Sequence, residues 1–161
     1  HGAVGLDISL KKLRYLRRRG IRLAKGDINR LPFKDASFST VICSQVIEHV
    51  PMNDEIYREL HRVLEPGGTL AIGTPDYGRL SWRMLEYVYG KVQPGAYADQ
   101  HITHYTSASL EQVLRESGFA VISAKCVGGS ELIFKAKKVP PAASVREDTV
   151  AAAPASVSQK N

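Results

Sequence analysis

Along the chain, short apolar, β-branched runs alternate with stretches in which apolar residues recur every three or four positions. These are the two periods of buried strands and amphipathic helices. The clearest run is Phe38-Ser-Thr-Val-Ile-Cys43, bounded by turn residues, and it predicts a buried strand of a parallel sheet. It ends in Ser44-Gln45, where polar groups appear. In an open α/β sheet, ligands sit outside the carboxyl ends of the strands, so residues Ser44 to His49 fall where a small molecule would bind.

The rest of the pattern is organised around that edge. Residues Ala3 to Leu6 predict a strand ending in Asp7, followed by a helix that Ser9 caps and Gly20 stops. Ile21 to Ala24 predicts a second strand, closed by Gly26-Asp27, and a polar loop carrying Leu31-Pro32-Phe33 leads into the strand at Phe38. Asn53, with Asp54 and Glu55 in the first turn, starts a helix whose apolar stripe is Ile56, Leu60, Val63 and Leu64, and Glu65-Pro66-Gly67-Gly68 breaks it. Thr69 to Thr74 is the next buried strand, ended by Pro75.

From about 76 to 105 no clean period survives. Five of the seven tyrosines and the one Trp, Trp82, lie there, which reads as an inserted cap. A helix from Thr106 or Ser107, with Leu110, Val113 and Leu114 inward, stops at Gly118. Phe119 to Ala124 and Glu131 to Ala136 then form an antiparallel hairpin around Val127-Gly128-Gly129-Ser130. Residues 1–138 thus read as one α/β domain and 139–161, rich in Pro, Ala and Ser, as a disordered tail.

Length and composition set outer limits. At 161 residues and 43% hydrophobic the chain suffices for one cored domain, and no run approaches the ~18 apolar residues of a membrane span. Cys43 and Cys126 have no metal or redox spacing. Two buried thiols in a reducing compartment point to a cytoplasmic protein. The net charge of +6 is concentrated at Lys11, Lys12, Arg14, Arg17, Arg18 and Arg19. Such a helix (11–19) can be a footprint for nucleic acid, or it can be a solvated face whose inward stripe is Leu13 and Leu16; the second is the expectation.

The order and punctuation of these segments resemble a class I S-adenosylmethionine-dependent methyltransferase of the small-molecule type that includes the ubiquinone-biosynthesis O-methyltransferases. The resemblance rests on Val4-Gly-Leu-Asp7, Gly26-Asp27-Ile28 with Leu31-Pro32-Phe33, Ser37-Phe38 with Val41 to Cys43, Val46-Ile47-Glu48-His49-Val50, Leu64-Glu-Pro66-Gly67-Gly68 and Glu116-Ser-Gly118-Phe119. It implies a Rossmann-like, mostly parallel sheet closed by an antiparallel hairpin. It further implies that Asp7, with Ile8 beside it, receives the ribose hydroxyls of S-adenosylmethionine, and that Asp27 and the backbone of Ile28 meet the adenine. Ser44 and Gln45 line the methionine end. A carboxylate suits the ribose because it accepts two hydroxyl protons at once.

The resemblance also marks what is missing. The family's first strand and glycine-rich loop would precede His1, so the expectation is a fragment with two unpaired strand edges that binds the cofactor poorly by itself. Some ubiquinone-pathway members hold a divalent ion in the segment matching Gln45 to His49. Here Gln45 stands in place of an acid, Glu48 and His49 alone make a thin site, and no metal is expected.

A sulfonium methyl needs little more than alignment with its acceptor, and orientation supplies ~7 to 11 kcal/mol of such a barrier. A base is needed only for a hydroxyl acceptor, and His101 and His104, three apart below the cap, are the candidates; the alternative for each is a hydrogen-bonding role at the foot of the next helix. The partner is a small-molecule methyl acceptor, flat, apolar or a sugar ring, under the aromatic cap. The rival readings are a nicotinamide-dependent oxidoreductase, disfavoured by the Asp27-Ile28 pair and the closing hairpin, and a non-catalytic RNA-binding module using the basic helix.

Overall fold

The computed structural model describes residues 2–92 and 101–139. Strand β1 (Val4–Asp7), helix α1 (Leu10–Arg17) and strand β2 (Arg22–Lys25) form a β-α-β unit, with β1 parallel to β2 and Asp7 paired with Lys25. Strand β3 (Phe38–Ser44) runs parallel to β4 (Leu64–Pro75), joined through a 3-10 turn at Ile47–His49 and helix α2 (Asp54–Val63). Helix α3 (Leu80–Val92) and helix α4 (Ser107–Glu116) precede the hairpin of β5 (Phe119–Val127) and β6 (Glu131–Lys138), whose second strand pairs antiparallel with β4.

The strand order is β1-β2 in one sheet and β3-β4-β6-β5 in the other. Among the described residues no ladder joins β1 to β3, so each presents one unpaired edge. The two sheets nevertheless share a core. Ile28 and Leu31, from the loop after β2, belong to the same buried cluster as Cys43, Ile47, Ile56, Leu60, Leu70, Ile72, Leu114 and Phe134, and Leu6 packs against it.

Local chemistry explains most boundaries. Ser9 accepts the N–H of Lys12 and Asn53 that of Ile56, each answering one unpaired donor of its helix start. Helix α2 buries Ile56, Tyr57, Leu60 and Val63 along one stripe and places Arg62 over the 31–35 loop. That guanidinium bonds Glu59, Asp35 and the carbonyls of Phe33 and Leu31 at 2.6 to 3.1 Å, pinning the loop that returns the chain to β3. Thr106 and Ser109 form a reciprocal cap on α4.

Several expectations need correction. Leu64 belongs to β4, not to the preceding helix: it pairs with Phe38, and the strand runs through Glu65-Pro66-Gly67-Gly68 with a register irregularity instead of starting at Thr69. The segment without a clear period holds a regular helix, α3, whose stripe is blurred because Leu80, Met84, Tyr87 and Val88 are exposed. Cys43 is buried, and burial pushes its thiol up to about 12, but Cys126 is only half-buried. The cap is described for 76–92 and 101–105; its residues 93–100, and the tail beyond Val139, lie outside the described residues.

Candidate active site at the strand tips

Asp7 is the last residue of β1, half-buried, and its Oδ1 accepts the N–H of Ser9 at 2.7 Å. Lys12 approaches Oδ2 at 3.8 Å. The N–H of Gly26 donates to the carbonyl of Asp7 at 3.3 Å, so the chain leaving β2 is tied to the tip of β1. A Cβ at Gly26 would stand 2.7 Å from the Pro32 ring and 2.9 Å from Leu6, which requires glycine for this close approach. Asp27 follows at once, exposed, with Oδ1 accepting both the backbone N–H and the side-chain amide of Asn29 at 2.9 Å. Asp7 therefore ends one strand and Asp27 follows the end of its parallel neighbour, with the Gly26–Asp7 hydrogen bond tying the two tips together.

The neighbouring isoleucines divide their roles. Ile28 is 9% exposed and its side chain belongs to the core, leaving the backbone as its contribution to the tip. Ile8 is 65% exposed beside Asp7, an apolar side chain open to a flat ring. A carboxylate with lone pairs to lend, a second acid nearby and an open apolar surface fit an adenosyl group in chemistry.

Ser44 ends β3, in the other sheet. Gln45 is held at φ 54 by its N–H bond to the carbonyl of Gly73, 3.0 Å, while its side-chain amide donates to Glu131 Oε1 at 3.1 Å. Glu131 opens β6, which runs antiparallel to β4, so it emerges at the same edge as Ser44 and Gln45. The strand pattern contained this placement, but it becomes visible only once the hairpin register is known.

The 101–105 segment is clipped beside the 3-10 turn. The N–H groups of Ile102 and Thr103 both donate to the carbonyl of Glu48, Thr103 Oγ1 donates to that of Val50 at 2.6 Å, and the N–H of Tyr77 donates to Tyr105 at 2.9 Å. His101 is thereby brought 4.8 Å, ring to ring, from His49. Its side chain is 5% exposed. Burial, and then the neighbouring His49, hold its imidazole below the usual histidine range. His104 is exposed and stacks on Tyr77 at 3.9 Å between ring centres.

Glu48 is fully buried, with Oε2 accepting from Thr74 Oγ1 at 3.2 Å and Oε1 lying 3.7 Å from His49 Nε2. Burial raises its carboxyl above 4.5, against the downward pull of its own backbone, His49 and Thr74. Glu48, His49 and His101 each bring a potential donor atom within 4.8 Å of the others. That is one donor more than the sequence reading counted, because His101 arrives from 52 positions away. Two imidazoles with one carboxylate suit zinc or iron better than magnesium, which prefers an oxygen shell, and the same grouping also describes a buried carboxyl packed against two histidines.

The basic helix keeps Leu13 buried and its six cationic side chains exposed. Tyr15, which the charge count passed over, stands among them at 59% exposure under the Arg19 guanidinium. No helix among the described residues is long and apolar enough to cross a membrane.

Comparison with known proteins agrees with this geometry. Residues 1–72 match the family model described as a methyltransferase domain. An uncharacterized protein of Mycobacterium tuberculosis is 36% identical over 122 residues, which is 76% of this chain and 42% of the relative. Malonyl-[acyl-carrier protein] O-methyltransferase of Methylococcus capsulatus is 32% identical over 129 residues, 74% of this chain and 43% of the relative. The chain thus spans less than half the length of either. Among solved structures, a SAM-dependent methyltransferase of Thermotoga maritima, described as a possible histamine N-methyltransferase, superposes with a TM-score of 0.71 at 21% identity, covering 84% of this chain and 72% of that one. The chain thus matches the methyltransferase-domain family over residues 1–72 and shares, over most of its length, the fold of a solved SAM-dependent methyltransferase.

Proposed function

We propose that the protein transfers a methyl group from S-adenosylmethionine to the hydroxyl of a small-molecule acceptor held beneath the aromatic residues of 76–92 and 101–105. The observation that carries this reading is that Asp7 closes β1 and Asp27 follows β2 by two residues, so that two carboxyl groups lie at the adjacent tips of two parallel strands.

When bound, S-adenosylmethionine supplies a sulfonium methyl already activated for displacement and would give its methyl carbon to the acceptor oxygen, the carbon–sulfur bond being the one that breaks. Asp7 would receive the ribose hydroxyls, with Ile8 against the nucleoside; Asp27 and the backbone of Ile28 would take the adenine edge; Ser44 and Gln45 would border the methionine end. His101 takes the proton that the hydroxyl gives up, and His104, stacked on Tyr77, helps wall the acceptor side. Burial, and then His49, hold the His101 imidazole below the usual histidine range, so it rests neutral with one ring nitrogen free of a proton.

The test is calorimetric titration of the protein, in its full natural length, with S-adenosylhomocysteine and separately with a nicotinamide dinucleotide. Saturable binding of the first and none of the second supports the reading, and the reverse rejects it.

A further inference from the structure

The Tyr77 hydroxyl sits between two groups. It donates to Glu86 Oε1 at 2.6 Å and lies 2.8 Å from His101 Nδ1. An O–O distance of ~2.6 Å is characteristic of a hydroxyl donating to an ionised carboxylate. A phenol has one proton, and once that proton is given to Glu86 its oxygen can only accept from His101. Burial, first, and then the hydrogen bond to Glu86 raise the phenol's pKa, keeping that proton in place.

We infer that Glu86 and Tyr77 are positioning residues that fix His101 in the tautomer protonated at Nδ1, leaving Nε2 as its proton-accepting nitrogen. This deepens the proposed function and rests on it for its catalytic meaning. A neutral histidine can accept a proton only at the nitrogen that lacks one, so a base facing its acceptor through Nε2 must carry its resting hydrogen at Nδ1. When Nε2 receives the acceptor's proton, the positive charge on the imidazolium is met through Nδ1–H, the Tyr77 oxygen and the Glu86 carboxylate, which lies 3.7 Å from Nδ1.

The surroundings hold the ring in place for this. Trp82 lies 6.1 Å from His101 at an interplanar angle of 28°, His49 lies 4.8 Å away on a tilted plane, and Tyr77 itself is anchored by its stacking on His104. The chain joins α3, through Glu86, to the clipped segment that carries His101. Sequence spacing hides it, because Tyr77, Glu86 and His101 come from three separate pieces of chain.

The experiment reads the tautomer directly, by nitrogen-15 NMR of the histidine side chains in the full-length protein, with His101 assigned by its loss in His101→Gln. In the unaltered protein Nδ1 is the protonated, pyrrole-type nitrogen and Nε2 the pyridine-type one. In Glu86→Ala the Tyr77 hydroxyl keeps a single acceptor, His101 Nδ1, so it donates there and the imidazole proton shifts to Nε2. Glu86→Gln restores an acceptor oxygen and with it the Nδ1–H form, whereas Tyr77→Phe yields a mixture. Protonation of His101 at Nε2 in the unaltered protein, or an Nδ1–H form that persists in Glu86→Ala, overturns the inference. Calorimetry with S-adenosylhomocysteine on the same samples reports separately whether the methyltransferase reading stands.

Discussion

The carbonyl oxygen of Glu48 accepts the backbone N–H of Thr103 at 3.1 Å, and that of Ile102 at 2.9 Å, so one turn residue fastens the segment on which His101 rides. Thr103 adds a second clip, its hydroxyl donating to the Val50 carbonyl while the residue is 5% exposed. In Thr103→Val the isosteric side chain leaves that carbonyl without its donor, and an unsatisfied buried acceptor costs about 1–3 kcal/mol. Urea unfolding monitored by circular dichroism should show a loss in that range, with the slope unchanged. A variant as stable as the parent protein would show that the clip contributes nothing.

Glu48 predicts a pH dependence of stability. Its carboxyl is raised above 4.5 by burial, so between 4.5 and that raised value the folded state holds a proton that the unfolded state has lost. Stability from this group is fully present below 4.5 and declines as pH rises through the folded value. Glu48→Gln removes the ionisation and can still satisfy Thr74 through its amide oxygen. Its midpoint of thermal unfolding should exceed that of the unaltered protein at pH 8, and the gap should close below pH ~4.5. A gap that widens on acidification would mean that the charged carboxylate, held by His49, is the stabilising form.

Gly26→Ala tests the close approach that sets Asp27. The new Cβ would fall 2.7 Å from a rigid proline ring and 2.9 Å from Leu6, so the loop must move. Overpacking of this kind costs about 1–3 kcal/mol. Denaturant unfolding should register the loss, together with weakened binding of S-adenosylhomocysteine as Asp27 is displaced. Unchanged stability and binding would show that the loop yields freely.

Asp7→Asn separates the charge of the first tip from its fold. The amide oxygen can still receive the Ser9 N–H, so unfolding should be close to that of the parent. Charge-assisted bonds to the ribose are lost, and at ~1.5–3 kcal/mol for a hydrogen bond to a charged group this is roughly a tenfold or greater weakening of S-adenosylhomocysteine binding. Equal affinity in the two proteins would remove Asp7 from the site.

Much of this architecture was legible in the chain because local signals agreed with the global fold. Ser9, Asn53 and Thr106 cap where their positions predicted, and the β-branched run at Phe38 forms a parallel strand, but not a buried one: with one edge unpaired among the described residues, only its Cys43 is buried and Ile42 is 76% exposed. What escaped has a common physical cause, in that it depends on non-local register. Leu64 fits the α2 stripe by period, yet pairing with Phe38 draws it into β4. Helix α3 hid because Leu80, Met84, Tyr87 and Val88 are exposed, so no single apolar stripe marks it. At the site, Asp7 and Asp27 were readable as strand-end acids, but Glu131 beside Gln45, and Tyr77 and Glu86 beside His101, are assembled by pairing and clipping that no short motif records.

The proposed methyl transfer needs one cofactor site at the tips of β1, β2 and β3. S-adenosylhomocysteine titrated into the isotopically labelled full-length protein, with backbone amide shifts followed by NMR, tests it most directly. The largest shifts should cluster at Asp7, Ile8, Asp27, Ile28, Ser44 and Gln45. Shifts confined to other faces, such as the basic surface of α1, or no shifts at saturating ligand, would contradict it.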